Sequence, residues 1–238
     1  MIGLQNIGPI FRRELRSYFN SPVAYVVMVV FLVIIGWFFS SNMFLMNVAS
    51  MRIVFEIVPL IFLFFVPAIT MRLLAEEKKS GTLELLTTKP VRDVEIVLGK
   101  FFAAWTLLAA ALAPTLLYFI TLLSLGQIDI GPVVSGYLGL LLMGAVYIAI
   151  GIFASSITEN QIVAFIVSFL IVLALFLMDK VLMYVPEAFA STLEFLAIDY
   201  HFSNIACGVI DTRNIIYFGS LLGFSLLLAT VSLERRKW

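Results

Sequence analysis

Charge is scarce in this sequence. Asp, Glu, Lys and Arg make up 13% of its 238 residues, against about a quarter in soluble domains. There is one cysteine, Cys207, and one histidine, His201. A lone cysteine excludes an intramolecular disulfide and an all-cysteine metal site. A lone histidine excludes a histidine-rich metal site. Basic and acidic residues number 15 each, so the basic excess that neutralises phosphates is missing and nucleic acid is not expected as a partner. No H-E-x-x-H or G-x-S-x-G occurs, and Gly99-Lys100 is followed by Phe101 without the upstream glycine of a phosphate loop. No catalytic residue and no metal ligand is assigned, which argues against a membrane-embedded enzyme. Internal repeats and acidic residues at span centres, the marks of ion-coupled transporters, are absent as well.

What is abundant is apolar. The share is 62% and the mean hydropathy +1.09, so the solvent for much of this chain must be lipid. Six runs reach the roughly 20 residues that cross a bilayer: about Val23 to Phe39, Ile53 to Met71, Val97 to Leu125, Val133 to Ser155, Ile162 to Met178 and Ile215 to Leu233. The expected fold is all-α, one polytopic membrane domain over residues 1–238. The N-terminus does not resemble a cleavable signal, since some 20 residues precede the first apolar run and that run ends in bulky Trp37, Phe38 and Phe39. Placing both termini in the cytoplasm puts every basic residue inside except Arg52, Lys180 and Arg213.

Two stretches outside the spans carry pattern. Ile7, Ile10, Phe11, Leu15, Tyr18 and Phe19 fall on one helical face, with Arg12, Arg13 and Arg16 placed to meet headgroups. This predicts an interfacial helix along the inner leaflet, ending at Asn20-Ser21-Pro22. The external stretch from Asp179 to Asn214 carries Tyr184, Phe189, Leu193, Phe195, Leu196 and Tyr200. Such segments pack on the mouth of a bundle as short or partly re-entrant helices.

The cytoplasmic connection between the second and third spans is the most specific segment. It reads Glu76-Glu77-Lys78-Lys79-Ser80-Gly81-Thr82-Leu83-Glu84-Leu85-Leu86, then Pro90. Gly81 interrupts the preceding helix. Thr82 is a good N-cap, and Glu84 lies in the first turn, where the helix dipole favours a carboxylate. Pro90 limits the far end. A short amphipathic helix exposing Leu83, Leu85 and Leu86 below a membrane bundle needs a groove to bury them.

That stretch, followed by Glu95-Ile96-Val97-Leu98-Gly99-Lys100, resembles the signature of ABC-2 class permeases. Ser21-Pro22, Pro67-Ala68-Ile69-Thr70-Met71-Arg72, Gly151-Ile152-Phe153-Ala154-Ser155 and Glu159-Asn160-Gln161-Ile162-Val163-Ala164-Phe165 are similar to the gliding-motility-associated ABC permeases of the Gld type. The resemblance implies a coupling helix in this loop that docks on an ATPase subunit. It also implies two permease subunits above two ATPase copies, with ATP and Mg on the ATPase, no cofactor on this chain, and export in the bacterial inner membrane. Gliding-type relatives imply a larger permease-like partner, so the pair would be a homodimer or a heteromer. A scaffold that transmits force or signal through the same architecture is the alternative.

Single residues carry further expectations. Glu56 is one turn after Arg52, which predicts an i,i+4 pair at the interface rather than a functional carboxylate. Pro59 and Pro67 are expected to kink the second span, as a hinge or a fixed bend. Gly219 and Gly223, like Ala145 and Ala149, are expected to pack within the subunit. Asp179 and Lys180 are expected to form a rim pair, His201 to serve local structure, and Cys207 to be buried.

Overall fold

The structure, a computed structural model, describes residues 6–46, 50–82, 91–125, 129–181, 194–209 and 211–235. Among them there is no strand. The helices are α1 (Ile7–Asn20), α2 (Pro22–Met46), α3 (Arg52–Thr70), α4 (Arg72–Lys79), α5 (Asp93–Leu112), α6 (Leu116–Leu125), α7 (Ile130–Ile157), α8 (Gln161–Val181), α9 (Ile198–Ala206) and α10 (Thr212–Glu234). Six stretches are long and apolar enough to cross a membrane: α2, α3 with α4, α5 with α6, α7, α8 and α10.

Local chemistry sets several boundaries. Ser21 is extended and ends α1, and Pro22 starts α2 at the position where its fixed φ and missing N–H cost nothing. Asp129 and Asp211 cap α7 and α10 by accepting from the Gly131 and Arg213 amides. The third span is not the single helix expected from Val97 to Leu125. Pro114 lacks the N–H that would continue the ladder, and a 3₁₀ turn at Ala113–Thr115 separates α5 from α6. The Thr115 hydroxyl bonds the Leu112 carbonyl at 2.6 Å and lies 2.9 Å from the Tyr137 hydroxyl. Pro59 and Pro67 both lie inside α3, which runs through them as one helix.

The central element is α7. Its apolar window is 78% buried, against 17% for α8 and 22% for α2. It touches α3, α5, α8, α9 and α10. Small residues permit this: a Cβ on Gly136 would lie 2.5 Å from the Phe55 ring, and Ala145 and Ala149, further along the helix, are buried. Gly219 and Gly223 behave otherwise. A Cβ on either meets nothing within 4 Å among the described residues, so this pair faces outward and does not pack inside the subunit. Large apolar side chains also point outward, among them Trp37 on α2, Ile162 on α8 and Leu227 on α10, as a lipid-facing surface requires.

At the end of the bundle holding the start of α3 and the end of α8, α9 lies against α7 and α8 and buries Ile198, His201, Phe202 and Ile205. The His201 ring stacks on Tyr217 at 4.0 Å and makes hydrogen-bond contacts with the Phe195 carbonyl (2.9 Å) and the Asn214 amide oxygen (2.8 Å). These contacts tie α9 to the start of α10. Lys180 pairs with Asp179 (3.1 Å) and Asp199 (2.8 Å), and Arg52 with Glu56 at 2.9 Å. Cys207 is exposed, not buried. It follows the last residue of α9, where the chain turns away through Gly208.

The outward glycines and the central one should respond oppositely to the same change. Gly136→Ala is expected to cost about 1–3 kcal/mol by overpacking against Phe55, lowering the melting temperature in detergent. Gly219→Ala should leave melting unchanged or raise it, since alanine favours helix by up to about 1 kcal/mol.

Candidate functional site

The opposite end of the bundle gathers α1, α4, the start of α5, the connection after α7 and the end of α10. Here lie Arg12, Arg13, Arg16, Arg72, Lys78, Lys79, Arg92, Lys100 and Arg235. The site is built around Lys100. This residue lies about two turns into α5 and is 1% exposed. Its ammonium is 3.1 Å from Glu14 on α1 and 2.9 Å from Glu77 on α4. The Arg13 guanidinium stands 4.0 Å from Glu77. Three helices distant in sequence are thus joined at one cation.

The rest of α1 is aligned to make that contact. Its N-terminus is held by Glu95 of α5, whose carboxylate accepts from the Asn6 amide (3.2 Å), the Asn6 side chain (3.1 Å) and the Arg92 amide (2.9 Å). α1 then lies so close over α5 that a Cβ on Gly99 would come within 2.7 Å of Ile10. Ile10 and Tyr18 pack on the core. The Tyr18 hydroxyl donates to the Ile69 carbonyl at 3.2 Å. Burial pushes this phenol well above its ordinary pKa; Glu14 adds to the shift and Arg72 opposes it.

A second joint fixes α4. The first amides of a helix have no partner inside it, and Met71 gives α4 no side-chain cap. Ser155 of α7 supplies one from across the bundle. Its hydroxyl oxygen accepts from the Leu74 amide at 3.0 Å and the Ala75 amide at 2.9 Å, and its proton goes to the Met71 carbonyl at 3.0 Å. All three partners lie at the junction of α3 and α4. Gly151, one turn earlier on α7, lets Thr70 seat there, since any Cβ would overlap the threonine side chain. Lys78 donates to the Ser156 carbonyl, and Ser232 of α10 reaches the same oxygen at 3.2 Å.

The residues singled out from sequence fall as follows. Glu76 pairs with Arg72 at 3.2 Å, and Glu77 is in the Lys100 cluster. Gly81 takes φ +69°, the left-handed conformation that ends α4. The Thr82 hydroxyl lies 2.8 Å from that of Ser80 and donates to the Glu77 carbonyl at 3.4 Å. Leu83, Glu84, Leu85, Leu86 and Pro90 lie outside the described residues. Arg12, Arg13 and Arg16 are exposed. Pro59 and Pro67 are buried in α3, away from the charge cluster. Sequence reasoning missed Glu14, Lys100 and Ser155. One signal was there: Glu14 falls between Ile10 and Tyr18 at spacings of four, on the apolar stripe of α1, where an acid needs a buried partner.

The bundle and its apolar exterior describe a multi-pass membrane protein. The model of the family described as ABC-2 family transporter protein matches residues 48–233. The chain belongs to the ABC-2 transporter family. In this permease, α1 and α2 precede the matched region, which runs from before α3 to the end of α10. The clasp at Lys100 therefore ties a segment outside the family match to two helices within it. No curated protein matches the permease.

Breaking either joint should be costly. Lys100→Met leaves two carboxylates buried without their cation, and a loss of about 3–5 kcal/mol is expected. Ser155→Ala strands two buried amides and one carbonyl, at about 1–3 kcal/mol for each group left unpaired. Both effects are read as reduced resistance to thermal unfolding in detergent.

Proposed function

We propose that this permease is the membrane subunit of an ATP-driven exporter, moved by a separate ABC ATPase that binds at the 82–86 segment. The observation that carries the reading is the fixing of α4. A segment pushed from below can move a bundle only if its stem does not yield. Here the stem is anchored twice, by Glu77 on Lys100 and by Ser155 on the Leu74 and Ala75 amides. Leu83, Leu85 and Leu86 follow that stem in the sequence, and an ATPase groove is the apolar surface that would cover them. ATP and Mg belong to the partner, with two permease subunits and two ATPase copies in the assembly.

The basic end of the bundle is the cytoplasmic one in this reading, because Lys and Arg accumulate on that side. Both termini then lie in the cytoplasm. The likeness to gliding-type permeases is supported by where its segments fall. Pro67 to Arg72 and Gly151 to Ser155 lie against each other and form the Ser155 joint. The second permease subunit is then another copy of this chain or, as in gliding-type systems, a larger permease-like chain.

The test is purification from native membranes with natural partners. An ABC ATPase should co-purify with wild type and with Glu56→Gln. The double variant Leu83→Glu, Leu86→Glu should recover about tenfold less of it, as loss of buried anchor residues does at interfaces. Undiminished recovery from the double variant, at normal permease levels, would overturn the docking site. Absence of any ATPase from the wild-type complex would overturn the function.

A further inference from the structure

A cleft of about 240 Å³ opens between α1, α2, α3, α4 and α5, directly beside the Lys100 cluster. It is several times the roughly 30 Å³ that one water occupies in the liquid. Its walls change character along its length. One end is lined by Arg13, Glu14, Arg72, Glu76, Glu77 and Lys100. The other is lined by Val27, Met28, Phe65 and Leu107. A cavity that is charged at one end and apolar at the other fits an amphiphile, and it sits where an interfacial helix meets the spans.

The charges narrow the choice of headgroup. Three cations face three anions, so the lining has no net charge and a purely anionic or cationic headgroup gains nothing overall. The cluster does have one open valence. Glu77 Oε1 is engaged by Lys100, whereas Glu77 Oε2 is buried and has no hydrogen-bond partner among the described residues. A buried carboxylate oxygen without a donor is costly. On the other side, Arg13 is 63% exposed, and Arg72 meets Glu76 through Nε. Their remaining guanidinium N–H groups are at the cleft wall, suited to a phosphate.

We propose that this cleft binds a phospholipid with a primary-amine zwitterionic headgroup, of the phosphatidylethanolamine type. The ammonium donates to Glu77 Oε2, which a turn of the carboxylate carries from its buried position to the cleft wall. The phosphate lies against Arg13 and Arg72. The start of an acyl chain runs past Met28 and Phe65 towards the bilayer. A choline headgroup has no N–H and leaves Glu77 Oε2 unsatisfied. A glycerol headgroup carries no positive charge to set against Glu77. The lipid is bound as a bridge between α1 and the bundle, and this inference does not depend on what the protein transports.

The experiment is a lipid titration of the full-length protein in dodecyl maltoside, read by native mass spectrometry and by melting temperature. The probes are dioleoyl-phosphatidylethanolamine, -phosphatidylcholine and -phosphatidylglycerol. Wild type should bind the ethanolamine lipid about tenfold more tightly than either other, the scale of one hydrogen bond to a charged group. Glu77→Gln should bring the three lipids close to parity. Ala68→Phe, which fills the cleft from α3 without touching a charge, should weaken all three and abolish the preference. It decides the matter if Glu77→Gln fails to fold. Equal binding of the three lipids by wild type would overturn the proposal. So would a preference that survives Ala68→Phe.

Discussion

An ammonium held at 1% exposure has to be surrounded by carboxylates, and the folding of one whole end of this protein follows from that requirement. Burying a charge is favourable only when its partners arrive with it. Lys100 therefore draws Glu14 and Glu77 to a single point, and with them the helices they ride on. α1 is too short and too polar to enter the bundle. Its position over α5 is set by this contact, by the Glu95 grip on Asn6 and by the room that Gly99 leaves for Ile10. Two acids around one lysine leave a negative excess, which the nearby Arg13 partly offsets.

The same logic of satisfied polar groups operates at the α3–α4 junction without formal charge. A helix that restarts inside a packed bundle exposes amides to a medium that cannot solvate them. Ser155 meets this need with one oxygen serving three backbone groups. The hydroxyl comes from α7, the most enclosed helix of the bundle. Stress applied along α4 therefore passes directly to the centre of the bundle, and not only to its sequence neighbour α3. Lys78 and Ser232 converge on the next carbonyl, that of Ser156, which brings the end of α10 into the same joint.

Hydropathy alone was enough to count the spans and place them, because roughly 20 consecutive apolar residues have few alternatives. The amphipathic helix at 7–20 was legible for a similar reason, its period being plain in Ile7, Ile10, Phe11 and Leu15. Periodicity marks Glu14 as an acid on the apolar stripe of α1, but it does not name the partner, since Lys100 is 86 residues away in the chain. Ser155 was part of a familiar stretch, but nothing local says that its partners are at 71, 74 and 75. Pro114 lies inside a run apolar enough to read as one helix. Gly219 and Gly223 misled because small-residue spacing reports only that close packing is permitted; it does not say which surface uses it. The segment with the most explicit sequence signal, 83–86, lies outside the described residues.

The exposed thiol at the end of α9 has a practical consequence. Cys207 is the sole sulfhydryl in the chain, and it stands at the end of the bundle remote from the clasp. The unmodified protein thus offers a single attachment point for a maleimide probe. A membrane-impermeant reagent applied to sealed vesicles of known polarity would report the sidedness of that end. A spin label or dye in the same place would follow any displacement of α9.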